Sequence, residues 1–364
     1  SRLPGGPSGR YDYCSASNRV WRRWTTAVAA MAAVVPLVTA GCLGPEGREV
    51  VVYTALDEQF SAPIFAEFTR ATGIRVRAKF DTEATKTVGL TAAIQAERQR
   101  PRCDLFWNNE VLNTLRLKRQ GLLAAYRSPA AATFPEPFRD PQGTWTGLAA
   151  RARVLLVNTN LVPEDERPGS ILDLVDPRWK GRSGIAKPLF GTTATHAACL
   201  FAYWGDVKAQ RFFESLKDNT LILAGNRQVA QSVASGRIAF GLTDTDDAMI
   251  EIDQRMPVAI VYPDQGEDGM GTLFIPNTVA IIRGAPHAEA ARTLVDYLLS
   301  PAVETQLARG PSAQIPLNRQ VTFRARVETP STVRAMQIDF QSAARKWETA
   351  AKFLRDLVTR PADA

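Results

Sequence analysis

From residue 49 to residue 121 the chain alternates apolar strands with amphipathic helices, and few folds accommodate that alternation. Glu49 to Thr54 (EVVVYT) is a continuous, largely β-branched run, the composition of a strand buried in a parallel sheet. Phe60, Ile64, Phe68 and Ala71 then share one helical face, and Gly73 supplies a stop. Ile74, Val76, Ala78 and Phe80 alternate with mostly basic residues, which predicts a second strand. A helix follows over about Lys86 to Arg98, then a strand from Cys103 to Trp107 and a helix from Glu110 to Gln120, ended by Gly121. Strand and helix taken in turn predict an α/β lobe built on a parallel sheet.

The pattern restarts at Arg153 to Asn158 (RVLLVN). After the turn-rich Pro163 to Gly169 come helices around Ala194 to Trp204 and Asp206 to Lys217, then a strand over Arg237 to Leu242. Thr272 to Ile282 reads as a strand whose Pro276 predicts an edge or hinge position. A helix from Ala288 to Leu299 follows. At the end, Phe340, Ala344, Trp347, Ala351, Leu354 and Leu357 keep helical spacing, so the tail is expected to be an amphipathic helix packed on the body.

The first 42 residues carry an address rather than a fold. Arg22 and Arg23 precede an apolar run from Ala27 to Val38 and the small residues Thr39-Ala40-Gly41 before Cys42. A basic start, a short apolar core and small residues at a cleavage point make a secretory signal, too short for a membrane span. The ending in Cys resembles a bacterial lipobox, which implies that Cys42 is acylated and becomes the mature N-terminus. Residues 1 to 19 fit no part of a signal, and translation is expected to begin near Val20.

The net charge of +7 misleads. Residues 1 to 42 hold five Arg and one Asp; of 44 basic and 37 acidic residues, 39 and 36 remain beyond them, a balance of +3. No basic stripe with interleaved aromatics survives, which argues against nucleic acid as a partner. The 322 residues after Cys42 suffice for two domains, and nowhere among them do apolar residues run uninterrupted long enough to span a bilayer. Cys103 and Cys199 read as buried free thiols. His196 and His287 are far apart and in no ligand spacing, which argues against a His-based zinc site or a triad; with no nucleophile–base pair evident, an enzyme is not expected.

Several segments, taken in order, resemble the ferric-iron-type solute-binding proteins of ABC importers, within the periplasmic-binding-protein superfamily. They are Val51-Val-Tyr-Thr-Ala, Phe65-Ala-Glu-Phe-Thr-Arg-Ala-Thr-Gly-Ile, Cys103-Asp-Leu-Phe-Trp-Asn-Asn, and the stretch Ala152 to Ala186 with Asp176-Pro-Arg-Trp-Lys-Gly-Arg. Ser235-Gly-Arg-Ile-Ala-Phe-Gly-Leu and Ile315-Pro-Leu-Asn complete the series. The resemblance spans about residues 49 to 318. It implies a type II two-lobe α/β fold with the ligand cleft between the lobes. Lobe one would combine 49–150 with 278–318, and lobe two would be 151–277. A linker (43–48) precedes them and a C-terminal helical segment (319–364) follows. It further implies a monomeric receptor, lipid-anchored at the extracytoplasmic face of the membrane, that closes by a hinge and delivers solute to a permease and ATPase. Delivery of the closed form to a sensory membrane partner is the alternative.

Ligands in α/β sheets bind beyond the carboxyl ends of strands. The expected loops are Thr54 to Asp57, with Thr54 and Asp57 as contacts, and the segment holding Thr82, Glu83, Thr85 and Lys86. Trp107, Asn108, Asn109 and Glu110 form the third loop, and Asp244, Thr245, Asp246 and Asp247 end the lobe-two strand. Gly191, Thr192, Thr193 and Ala194 open a helix whose backbone N–H groups suit an anion. The resemblance implies two adjacent tyrosinates for iron at positions held here by Thr245 and Asp246. The family's His falls on Asp57 and its acidic ligand on Asn109, beside Glu110. No Tyr-Tyr pair occurs in the chain, so tyrosinate iron binding cannot operate. Two cargoes remain, and no resident cofactor is expected. A hard cation, ferric iron included, would sit on Asp57, Glu110, Asp244 and Asp246. A phosphate- or phosphonate-bearing solute would sit on Gly191 to Ala194 with Lys86, its amine or hydroxyls on the acidic loop.

Overall fold

The computed structural model describes residues 48–81 and 87–359. The leader with Cys42 lies outside the described residues, as do Thr82, Glu83, Thr85 and Lys86. The first strand, β1 (Glu49–Thr54), pairs in parallel with β2 (Arg75–Phe80) and with β3 (Leu105–Asn108). Between β1 and β2 runs α1 (Glu58–Thr72), burying Phe60, Ile64, Phe65 and Phe68. Gly73 ends α1 at φ 72°, and its N–H donates to the Thr69 carbonyl, a left-handed cap that a side chain would strain. Two further helices, α2 (Val88–Ala96) and α3 (Leu112–Arg119), flank β3.

The long strand β5 (Thr146–Asn158) is buried along its whole length, and the sheet changes character within it. Up to Ala152 it pairs antiparallel with β10 (Phe274–Ile282), which also pairs with the short β4 (Leu123–Ala124). From Arg153 onward it pairs with β8 (Phe240–Asp244) and β9 (Val258–Val261). Two strands, β6 (Ser183–Ala186) and β7 (Leu221–Leu223), extend the second half in parallel with β8. The path β2-β1-β3-β10-β5-β8-β6-β7 therefore has a parallel group at each end and antiparallel β10 and β5 in the middle. The expectation of parallel sheets applies to the groups; the strands joining them run back against their neighbours.

Pro276 lies in the sheet interior rather than at an edge. The register shifts between Pro276 and Asn277, and opposite it Ala149 adopts φ 39°. A bulge is the interior position where a missing N–H costs no ladder bond, which is why a proline fits there. The irregularity is held from two sides. Glu304, on α9 (Pro301–Arg309), accepts the Ala149 N–H at 2.6 Å, and the Asn277 side-chain amide donates to the Ala149 carbonyl. Glu304 also accepts the N–H groups of Leu317 and Asn318. Burial pushes its carboxyl group up, against the pull of these three donors.

The last helix, α10 (Phe340–Thr359), buries Ala344, Trp347, Leu354 and Leu357. It packs on α3 and also on α4 (Gly191–Trp204) and α5 (Asp206–Asn219), so it touches elements attached to both parallel groups. Arg116 of α3 pairs with Glu348 and lies over the Trp347 ring, while Lys346 reaches Asp206 of α5 at 2.8 Å. Cys103 and Cys199 are buried free thiols, and burial pushes both well above the usual thiol range. Among the described residues no helix is long and apolar enough to cross a membrane.

Candidate functional site

The carboxyl ends of five parallel-group strands meet at one polar cleft. Asp57 follows β1 and Asn109 follows β3; Lys187 and Gly191 to Thr193 follow β6. Gly225 and Asn226 follow β7; Asp244 ends β8, and Asp246 and Asp247 follow it. Arg151 rises between the two groups from β5. This is the place where an open α/β sheet binds ligands, and it arises because every loop leaving those strand ends turns toward the same gap. The enclosed volume is about 30 Å³, room for one or two waters.

Two helices start on the cleft wall without side-chain caps. In α4 the residue before Gly191 is Phe190, and in α6 (Asn226–Ala234) it is Gly225; neither offers a capping oxygen. Their first-turn N–H groups have no intrahelical acceptor and carry partial positive charge. Gly191 takes φ 56°, and a Cβ there would meet nothing within 4 Å, so open space lies over the start of α4.

Beneath this wall two arginines hold the acidic residues. The Arg153 side chain is fully buried; its Nη1 donates to Asp244 Oδ1 at 2.6 Å and to Asn226 Oδ1 at 3.1 Å. The same guanidinium reaches the hydroxyls of Thr192 and Thr193 at 3.4 and 3.3 Å. Asp244 Oδ2 accepts from the Thr192 hydroxyl and from Asn226 Nδ2 at 3.0 Å. Both carboxylate oxygens are thus engaged. Arg151, also buried, donates from Nε to Asp246 Oδ2 at 3.1 Å, from Nη1 to the Asn109 carbonyl and from Nη2 to Asn277. Burial opposes the Arg151 charge, but Asp246 and Asp244 outweigh it and raise its proton affinity.

The expected site residues divide. Asp57, Asn109, Gly191, Thr192, Thr193, Asp244, Asp246 and Asp247 line the cleft. Six others point elsewhere because the fold uses their groups. Thr54 accepts the Leu56 N–H, and Thr245 accepts the Ala152 N–H. Ala194 faces α10 beside Trp347. Trp107 is core, edge-on to Phe65 at 5.6 Å, and Asn108 is tied to Glu110 and Thr114. Glu110, expected as a metal ligand, instead accepts the N–H groups of Leu112 and Asn113 at the start of α3, and the Thr195 hydroxyl at 2.8 Å. An acidic residue at a helix start is satisfied there and has no oxygen left for the cleft.

Arg151, Arg153, Lys187 and Asn226 were not expected. A signal for the arginines existed: Ala150-Arg151-Ala152-Arg153-Val154 places charges at alternate positions of an otherwise apolar strand, and hence on one face. Charge on a strand buried throughout demands a partner. The acidic turn is also more ordered than a loop. Asp244 ends β8, and α7 (Thr245–Asp253) begins at the next residue.

His196 of α4 is buried, and burial, aided by the charge on Arg153, pushes its pKa down to about 3. An unfolded imidazole takes its proton near pH 6.5. Between those values the unfolded chain holds the extra proton, so folding stability falls as pH drops from about 6.5 toward 3. At pH 5 the loss from this one group is about 2 kcal/mol. Urea unfolding at pH 7.5 and pH 5 should show wild type losing that much more than His196→Asn; equal losses would contradict the buried neutral imidazole.

Residues 104–342 match the model of the family described as bacterial extracellular solute-binding protein. The chain belongs to that family. Iron uptake protein A1 of Synechocystis sp. is 25% identical to this solute-binding protein over 305 residues, covering 79% of this chain and 82% of its own. Iron-bound HitA from Pseudomonas aeruginosa superposes with a TM-score of 0.77 at 21% identity, covering 85% of this chain and 99% of its own. The periplasmic binding protein AfuA from Actinobacillus pleuropneumoniae, with exogenous fructose-6-phosphate bound, superposes at 0.76 with 22% identity, covering 86% and 100%. The fold is that of the two-lobe periplasmic binding proteins, and the relatives are binding proteins rather than enzymes.

Proposed function

We propose that this protein is the extracytoplasmic receptor of an ABC importer and that its cargo is a small solute bearing a phosphate or phosphonate group. The observation that carries this reading is the pair of buried ion pairs, Arg153–Asp244 and Arg151–Asp246. A hard cation needs carboxylate oxygens with lone pairs to give. Here Asp244 and Asp246 already face guanidinium groups, Glu110 caps a helix, and the tyrosine positions hold Thr245 and Asp246. An anion is better served. The open starts of α4 and α6 offer N–H donors, with Arg151 and Lys187 beside them.

The rest of the cargo would be a hydrogen-bond donor. Asn109 Oδ1 is buried on the cleft wall and has no partner among the described residues, and Asp57 and Asp247 line the same gap. Hydroxyls or an amine would meet those acceptors. The enclosed space is smaller than an organic phosphate, so capture requires the two walls to part and close again about the crossing strands, a hinge of known kind. The remainder of the reading is a monomer tethered through lipid on Cys42, handing its load to a permease and ATPase. Residues 151–277 move as one lobe against 49–150 with 278–318.

Calorimetry on the purified protein with phosphorylated sugars, aminophosphonates and ferric citrate tests the cargo. Saturable heat with a phosphoryl or phosphonyl compound and none with ferric citrate is expected. Stoichiometric ferric binding would overturn the reading, as would silence toward every phosphorylated or phosphonate compound.

A further inference from the structure

We infer that Arg153, seconded by Arg151, is the specificity determinant that keeps metal cations out of this cleft, acting as a resident cation among carboxylates that would otherwise chelate one. The inference rests on the anionic cargo proposed above and names the residues that impose it.

By spacing alone the acidic cluster would suit a metal. Asp244, Asp246 and Asp247 each place a carboxylate oxygen within 4.8 Å of the others, a compact trio of hard donors. What differs is the charge already seated among them. Arg153 Nη1 is 2.6 Å from Asp244, with Asn226, Thr192 and Thr193 as further partners of the guanidinium, and the side chain is fully closed off from solvent. Arg151 occupies the equivalent place beside Asp246. A metal ion at the trio would lie against two fixed positive charges in a site of low dielectric, and it would have to strip Asp244 of three donors to gain one ligand. Arginine cannot escape by losing its proton, so the exclusion holds at every working pH.

The sequence separation makes this a device of the strand rather than of the acidic turn. Arg151 and Arg153 stand two apart on β5, beyond the bulge at Ala149, so both side chains face the carboxyl ends of the parallel strands. Asn109 Oδ1, buried and unpartnered among the described residues, supplies an independent sign that a ligand with donors belongs in the same space.

The test is a gain of function. Tb³⁺, a hard trivalent probe, is titrated into wild type, Arg153→Met and the charge-balanced Arg153→Met/Asp244→Asn, with calorimetry and thermal unfolding as readouts. Arg153→Met should bind Tb³⁺ at least tenfold more tightly than wild type and rise in melting temperature with the ion, and the double variant should do neither. Equal Tb³⁺ affinity in wild type and Arg153→Met, or no gain in the variant, would overturn the inference. Should Arg153→Met fail to fold, Arg151→Met against Arg151→Met/Asp246→Asn poses the same question at the second pair, where a tenfold gain supports the inference and no gain overturns it. Wild type that rejects Tb³⁺ but also rejects every phosphorylated or phosphonate solute would remove the proposed cargo while leaving the exclusion standing.

Discussion

Arg153→Met should lower the unfolding free energy by about 3–5 kcal/mol, the usual consequence of removing one partner from a buried ion pair. Asp244 would remain buried opposite an apolar side chain, and Thr192, Thr193 and Asn226 would each lose a donor. In a protein of this size the melting temperature should fall by about 5–8 °C. The companion Arg153→Met/Asp244→Asn should recover most of the loss, since deleting both charges of a buried pair is often close to neutral. Urea and thermal unfolding of the three proteins measure this directly. A single variant within about 1 kcal/mol of wild type would mean that Asp244 is well solvated and needs no partner, contrary to its burial.

The second large effect belongs to Glu110→Ala. This carboxylate accepts from the backbone of Leu112 and Asn113, from Asn108 Nδ2 at 2.8 Å and from the Thr195 hydroxyl, and it is fully buried. Its removal strands four donors, for an expected loss of about 3–4 kcal/mol at roughly 1 kcal/mol each. Thr195 lies on α4, beyond the second sheet group, so the variant also loses a buried bond between the two cleft walls. Chemical unfolding should register the full cost. A variant as stable as wild type that no longer binds cargo would identify Glu110 as a ligand contact instead.

The fold was legible from residue 49 onward because strand and helix periods differ and Gly73 and Gly121 punctuate them. The cleft was legible only in part. Asn109 and Glu110 are neighbours with similar acceptors, and either could have faced the ligand. The structure sends Asn109 to the cleft and Glu110 back onto α3, a choice made by where that helix begins. The acidic turn read as available carboxylates because the partners that neutralise it, Arg151 and Arg153, are some ninety residues away on β5. Such pairing is set by sheet order, which local pattern does not encode. Pro276 shows the same limit: its missing donor was evident, but the Ala149 bulge that tolerates it lies across the sheet.

The placement of Arg151 on β5, where one strand serves both sheet groups, has a mechanical meaning. When two bodies swing about a shared axis, points on the axis are displaced least. In the proposed opening Arg151, the first residue of lobe two, stands next to that axis, and Asn109, which it contacts, belongs to the opposite lobe. On the proposed reading an approaching anion meets a charge that moves little as the cleft opens, and the walls arrive afterwards. Capture speed should be governed by this fixed charge and the salt that screens it, and residence time by the walls that fold over it.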